Sequence, residues 1–152
     1  MPSRRDQIQM TDGELRGFLD RQMVMQVATL GPRGLPHMVP LWFVPDGLEL
    51  SGWTYAKSQK AKNLERDPRA TVGVEDGVAY QDLRGAMLEC DVELERDTAL
   101  VAQVGEALVD RYGGGAEQMK ELFRQQAQKR VGLRFKPTRT VTWDHRKLGG
   151  TY

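Results

Sequence analysis

The residues of this chain best placed to do chemistry are Lys57, Lys60 and Lys62, set around Ser58 and Asn63 in the stretch Ser51 to Pro68. Hydroxyl and ammonium groups gathered where a strand runs into a helix make an anion seat. The first amides of a helix lack internal partners, and the dipole there favours negative charge. Trp42, Trp53, Tyr55 and Tyr80 can line a slot for a flat ring, with Lys57, Ser58 and Lys60 holding an anionic tail. Such a site suits a cofactor that supplies the hard chemistry while the protein supplies orientation and electrostatics. By composition alone, lysines spaced this way near Glu65 read as a solvated helix face.

Rival chemistries find little support in the residues. Two histidines and no nucleophile-elbow pattern argue against a hydrolase. Neither GxxxxGK nor GxGxxG occurs. Glu89, Asp91 and Glu93 are paired carboxylates only at strand spacing, on the polar face of one long strand. His37 and His145 are too few and too scattered for a metal motif, so no metal site is expected. The single cysteine, Cys90, falls on the apolar face of that strand, where a buried, inert thiol is expected. A net charge of +1 over 152 residues implies no global pull toward nucleic acid or membrane, and any basic character is local. No apolar run is long enough to span a bilayer, and the first residues are not a secretory signal, so a cytoplasmic protein is expected.

The elements that must position these residues are legible from periodicity. Residues 1–10 read as a loose tail, as do 148–152. Thr11 and Glu14 have capping-box spacing ahead of a helix carrying Leu15, Phe18 and Leu19. From Met23 the period becomes two, and three antiparallel strands are expected in sequence: MVMQVATL, LPHMVPLWFVP and LELSGW, joined at Gly31–Gly34 and at Asp46-Gly47. Pro36 and Pro40 make the middle strand awkward. They suit an irregular edge, or a surface along Met38 to Trp42 left open for a planar ligand. A helix over 58–66 follows, stopped by Asp67-Pro68. Strands at RATVGVE and LRGAMLECDVELE come next, then a helix opened by Asp97 or Thr98. After Gly113-Gly114-Gly115 a second helix uses Met119, Leu122 and Phe123. Two last strands, VGLRF and TRTVTW, are separated by Lys136-Pro137. About seven strands that meander directly, with helices inserted, define an antiparallel α+β protein in a single domain over residues 1–152.

Three segments carry a resemblance: AKSQKAKNLERDPRATVGVEDG, LRGAMLE and KRVGLRFKPTRTVTWDHRKLGG. Together they resemble the flavin/deazaflavin oxidoreductases related to pyridoxamine 5′-phosphate oxidases, and more narrowly the actinobacterial branch that uses coenzyme F420. The similarity runs from about Thr11 to Gly149. It implies an FMN-binding-type split β-barrel working as a homodimer, with two cofactor sites between subunits. The family's phosphate-binding segment falls on Lys57, Ser58, Lys60 and Asn63, and the cofactor ring on Met38, Val39, Pro40, Leu41, Trp42 and Thr54. Tyr80, Arg84 and the segment Trp143–Lys147 are candidates to complete the site of the other subunit; Asp144, His145 and Arg146 equally suit a dimer contact that never touches cofactor. His37 is assigned a hydrogen-bonding surface role.

The function this implies is hydride transfer from reduced F420 to a small unsaturated acceptor: an enone, a quinone or a tetrapyrrole such as biliverdin. No residue need act as nucleophile; Lys or Arg donors can stabilise charge developing on the acceptor, and the completing proton comes from solvent or a tyrosine, with no catalytic residue assigned. FMN is the alternative cofactor, since both molecules carry a phosphate and a tricyclic ring. F420 has in addition an acidic tail, which Lys57, Lys60, Lys62 and Arg66 can follow if they share a face. A binding or storage protein without turnover is the reading from a different class.

Overall fold

A computed structural model describes residues 1–150 of the chain, so 151–152 of the tail read as loose lie outside the described residues. One seven-stranded sheet organises it, with every neighbouring pair antiparallel: β1 (Met25–Leu30), β2 (Pro36–Leu41), β3 (Val44–Asp46), β4 (Glu49–Tyr55), β5 (Arg69–Asp76), β6 (Arg84–Glu95) and β7 (Arg130–Asp144). The spatial order is β2-β1-β5-β6-β7-β4-β3. Five helices accompany it: α1 (Arg4–Gln7), α2 (Asp12–Arg21), α3 (Gln59–Arg66), α4 (Thr98–Tyr112) and α5 (Glu117–Gln126). The sheet curls until its two sides meet. Gly52 on β4 lies so close to the end of β2 that a Cβ there would sit 3.1 Å from the Trp42 carbonyl and 3.3 Å from Leu41. This is the split barrel expected from the resemblance.

The strand count is met by a different route from the one read in the sequence. The awkward middle strand divides at Trp42-Phe43. Its first half pairs with β1 at one edge of the sheet and its second half with β4 at the other. The expected three-strand meander is therefore two hairpins on opposite edges. As an edge strand, β2 has one neighbour, and Pro36 and Pro40 stand an even number of residues apart. One free side accommodates both missing amides. Conversely, the two expected last strands are one. β7 runs unbroken through Lys136-Pro137 because the register with β6 slips there: Glu89 faces Arg139 while Cys90 faces Pro137. Thr138 is the extra residue, and its hydroxyl donates to the Glu89 carbonyl at 3.1 Å. A bulge tolerates the proline that a regular central ladder rejects.

The division at Trp42-Phe43 is held from α4. The Tyr112 hydroxyl accepts from the Phe43 amide at 3.0 Å and lies 2.9 Å from both the Phe43 and Met23 carbonyls. Its ring stacks flat on Trp42, with centroids 4.3 Å apart. Arg111, one residue earlier, donates to the carbonyls of Leu19, Asp20 and Gln22 and so closes the C-terminus of α2. Tyr112→Phe leaves the Phe43 amide without its partner. A loss of about 1–3 kcal/mol in chemical denaturation is expected, with the stacking kept.

Two apolar clusters form. The larger fills the barrel with inward residues of the strands, including Val27, Leu50, Val72, Leu88 and Phe135, and is closed by Leu15, Phe18 and Leu19 of α2 and by Ala61 and Leu64 of α3. The smaller lies outside the sheet, where Val101 and Leu108 of α4 cover Trp53. Gly105 makes that approach possible, since a Cβ there would stand 2.6 Å from the Trp53 ring. Cys90 is buried and its thiol is pushed up to about 12, first by desolvation and then by Asp91, as an inert thiol should be.

The first ten residues, read as loose, are tied down. Ser3 and Asp6 form a capping box on α1. The Met10 amide donates to Thr142 Oγ1, the Asp144 amide to the Ile8 carbonyl, and Lys147 Nζ to the Gln9 carbonyl and to Glu14. These partners come from the far end of the chain, which is why local composition did not reveal them.

Candidate functional site

β4 ends at Tyr55, the chain turns through Ala56 and Lys57, and α3 begins behind its N-cap Ser58. The Ser58 hydroxyl accepts from the Ala61 amide at 3.2 Å and from Thr54 Oγ1 at 3.2 Å, leaving its own proton to point elsewhere. Lys60 Nζ donates to Thr54 Oγ1 at 2.9 Å. The first turn of α3 holds no acidic residue to oppose its dipole. Burial first, and then the charge of Arg130, hold the Lys60 ammonium below the ordinary lysine value.

Arg130 is the residue that sequence reasoning missed. It opens β7 directly opposite Tyr55, and its guanidinium lies 4.2 Å from the Tyr55 ring centroid and 4.6 Å from that of Trp53. Its Nε is buried without a partner, and Nη2 reaches only the Gln126 amide oxygen at 3.3 Å. Among the described residues no carboxylate lies within salt-bridge distance of Lys60 or Arg130. Two neighbouring cations, each part-buried and neither neutralised, destabilise one another until an anion arrives. The sequence signal was the cationic start of a strand after a helix, which becomes meaningful only once the β4–β7 register is known.

Beside this rim opens a recess of about 380 Å³, lined by Val24, Pro40, Leu41, Trp42, Trp53, Leu108, Phe123, Gln126 and Arg130. Phe123 stacks on Trp53 with centroids 5.2 Å apart and forms part of its wall. The expected residues thus form two groups: Thr54, Ser58 and Lys60 are joined by hydrogen bonds at the strand–helix junction, while Pro40, Leu41 and Trp42 line the recess. Met38 and Val39 lie just up the same edge strand, Met38 on its outer, exposed side and Val39 half-buried. Lys57 is exposed at the turn.

Other expected members do not join them. Asn63 is fully buried, donating to Thr29 Oγ1 and accepting from Gln59, so it pins α3 onto β1 and does not face the rim. The continuous basic groove through Lys57, Lys60, Lys62 and Arg66 is also broken. Lys60 and Lys62 are two positions apart and point differently, while Arg66 turns back to the Leu30 carbonyl. Tyr80 and Arg84 lie at the opposite end of the β6–β7 ladder from Arg130, separated by most of a fifteen-residue strand at about 3.3 Å per residue. Arg84 pairs with Asp76 at 2.6 Å, and Tyr80 meets His145 edge to face. Asp144 holds Arg146 at 2.7 Å, and Lys147 joins the N-terminal clasp. His37 is half-buried, with Nδ1 enclosed and unpartnered.

A curled sheet of seven antiparallel strands with five helices is the fold of the pyridoxamine 5′-phosphate oxidase-like flavin and deazaflavin proteins. The chain belongs to the pyridoxamine 5′-phosphate oxidase family, whose N-terminal domain model, described as pyridoxamine 5′-phosphate oxidase, matches residues 11–144. Among solved structures it is similar to a conserved hypothetical protein from Mycobacterium tuberculosis, at 39% identity over 99% of this chain and 95% of the other, with a TM-score of 0.90. An F420 reductase is similar at 25% identity over 82% and 94%, TM-score 0.67. The heme storage protein HutZ from Vibrio cholerae shares the fold at 20% identity over 86% and 93%, TM-score 0.68. No curated protein matches the sequence. Among the described residues no helix is long and apolar enough to cross a membrane.

Proposed function

We propose that the protein is an oxidoreductase that seats reduced coenzyme F420, ahead of FMN, at the Lys60 rim and passes a hydride to a small unsaturated acceptor. The observation that carries this reading is the uncompensated Lys60 ammonium at the N-capped start of α3, in a fold whose edge strand β2 has one side open. Those residues fit a phosphate-bearing tricyclic cofactor. Lys60, the Ser58 hydroxyl and the first amides of α3 hold the phosphate, and Met38 to Trp42 provide an apolar wall for the ring. When bound, the cofactor supplies the hydride. The chain's own part is to fix the ring, keep water from the apolar wall, and place positive charge where the acceptor gains electrons. The likeness to an F420 reductase supports F420 over FMN.

The reading includes a homodimer. The exposed edge residues Leu30, Leu35 and Met38 offer apolar surface, and the protruding loop with Val78 and Tyr80 offers a reach into a second copy. That is how Tyr80 and Arg84, remote within one chain, would approach a cofactor. Calorimetric titration with F420 and with FMN is the test. Tighter binding of F420 is expected, and tighter FMN binding overturns the cofactor choice. A protein that binds either one tightly, yet oxidises the reduced deazaflavin with no enone, quinone or biliverdin, is a carrier. The shared fold with a heme storage protein keeps that reading in play.

A further inference from the structure

The recess between Trp42, Trp53 and Phe123 ends at a cation that the phosphate seat does not need. Among the described residues, three recesses of about 370–400 Å³ differ in the charge at their borders. On the outer face of β1, β5 and β6, the recess near Leu30 and Pro36 is bordered by Arg69, which is already paired with Asp67 at 2.7 Å. Under α4, the recess near Val44, Leu100 and Val104 is bordered by Arg134, which is paired with Glu49 at 2.6 Å. Of these three, the Trp42–Trp53 recess alone has a bordering guanidinium, that of Arg130, free of a carboxylate among the described residues.

Arg130 is also held in place. Its Cζ lies over both the Tyr55 and Trp53 rings, so little side-chain freedom remains to be lost on binding. The buried Nε has no acceptor, and the neighbouring Nη2 makes one long bond to Gln126. A carboxylate displacing the Gln126 amide would pair with both nitrogens in the planar, two-point manner that suits arginine. The remaining lining, Pro40, Leu41, Trp42, Leu108 and Phe123, is apolar and largely aromatic. It has no use for a second charge.

We infer that this recess is a distinct binding site for a planar, apolar carboxylate, with Arg130 as its counter-ion. It shares the Pro40–Trp42 wall with the cofactor seat, so its occupant stands beside the cofactor ring as the hydride acceptor. That role rests on the function proposed above; the binding itself does not.

The test compares 2-naphthoate with neutral 2-naphthamide by calorimetry on the apo protein. Naphthoate is expected to bind about tenfold tighter or more, the worth of one charge-assisted pair. Arg130→Gln is expected to erase the preference while leaving naphthamide binding in place. Should that variant fail to fold, Val24→Trp serves instead: Val24 lies at the exposed mouth of the recess, and a larger ring there is expected to weaken both probes. Equal binding of the two probes by the wild type, a preference surviving Arg130→Gln, or indifference to Val24→Trp would each overturn the site. Lys60→Ala separates this proposal from the cofactor reading, since it is expected to weaken FMN and F420 but not naphthoate. A protein that discriminates naphthoate yet binds neither cofactor refutes the proposed function and leaves the carboxylate site standing.

Discussion

Lys60→Ala is expected to lower cofactor affinity about ten- to a hundredfold while leaving the unfolding midpoint unchanged or slightly raised. The affinity loss is the worth of a charge-assisted phosphate contact, about 1.5–3 kcal/mol. The stability expectation comes from linkage. Because the folded chain holds the Lys60 proton less tightly than the unfolded chain does, stability owing to this group is least at neutral pH and rises as pH climbs through the interval below 10.5. Removing the ammonium at neutral pH therefore removes an unfavourable charge, along with one hydrogen bond to Thr54. The same shift has a consequence for binding. An anion requires the protonated lysine, so wild-type affinity should be flat near neutrality and fall on the alkaline side earlier than an ordinary lysine would dictate. The alanine variant should lack that fall. Calorimetry across pH with F420 and FMN checks both, and an unchanged affinity in Lys60→Ala would place the phosphate elsewhere.

Trp53→Ala is expected to cost about 3–5 kcal/mol of stability, the usual penalty for deleting a buried aromatic. Trp53 is 7% exposed and joins Val101 and Leu108 in the outer cluster, with Phe123 on its ring and Gly105 pressed against its edge. Collapse into the space is opposed by α4, which is itself fixed through Arg111 and Tyr112. The loss should therefore lie toward the upper end. The variant also removes one of the two rings on which Arg130 rests, so it should weaken naphthoate binding even under conditions where it stays folded. Urea denaturation and the probe titration check the two parts. A loss below about 1 kcal/mol would mean that the outer cluster packs loosely.

Much of the site was legible because it is local. Thr54, Ser58 and Lys60 lie within seven residues, and a strand running into an N-capped helix is written in alternation, a serine and the closing Asp67-Pro68. The helix at Thr11, the long alternating β6 and the inert Cys90 were legible for the same reason: each depends on period and neighbour alone. The resemblance extended that reach to the split barrel, which periodicity by itself did not specify.

What the sequence by itself determined, then, was most of the elements and the strand–helix junction that carries Thr54, Ser58 and Lys60. Only the tertiary structure decided three further matters. It sent the two halves of one apolar run to opposite edges of the sheet, because curling brings those edges together at Gly52 and Tyr112 holds the break. It carried β7 through Pro137, because a bulge opposite Glu89 and Cys90 absorbs the missing amide. And it set Arg130 opposite Tyr55 while turning Asn63 inward. Partners in a β-sheet are chosen by register between strands far apart in the chain: seventy-five positions separate Tyr55 from Arg130. No local pattern encodes which distant cation will stand uncompensated beside Lys60.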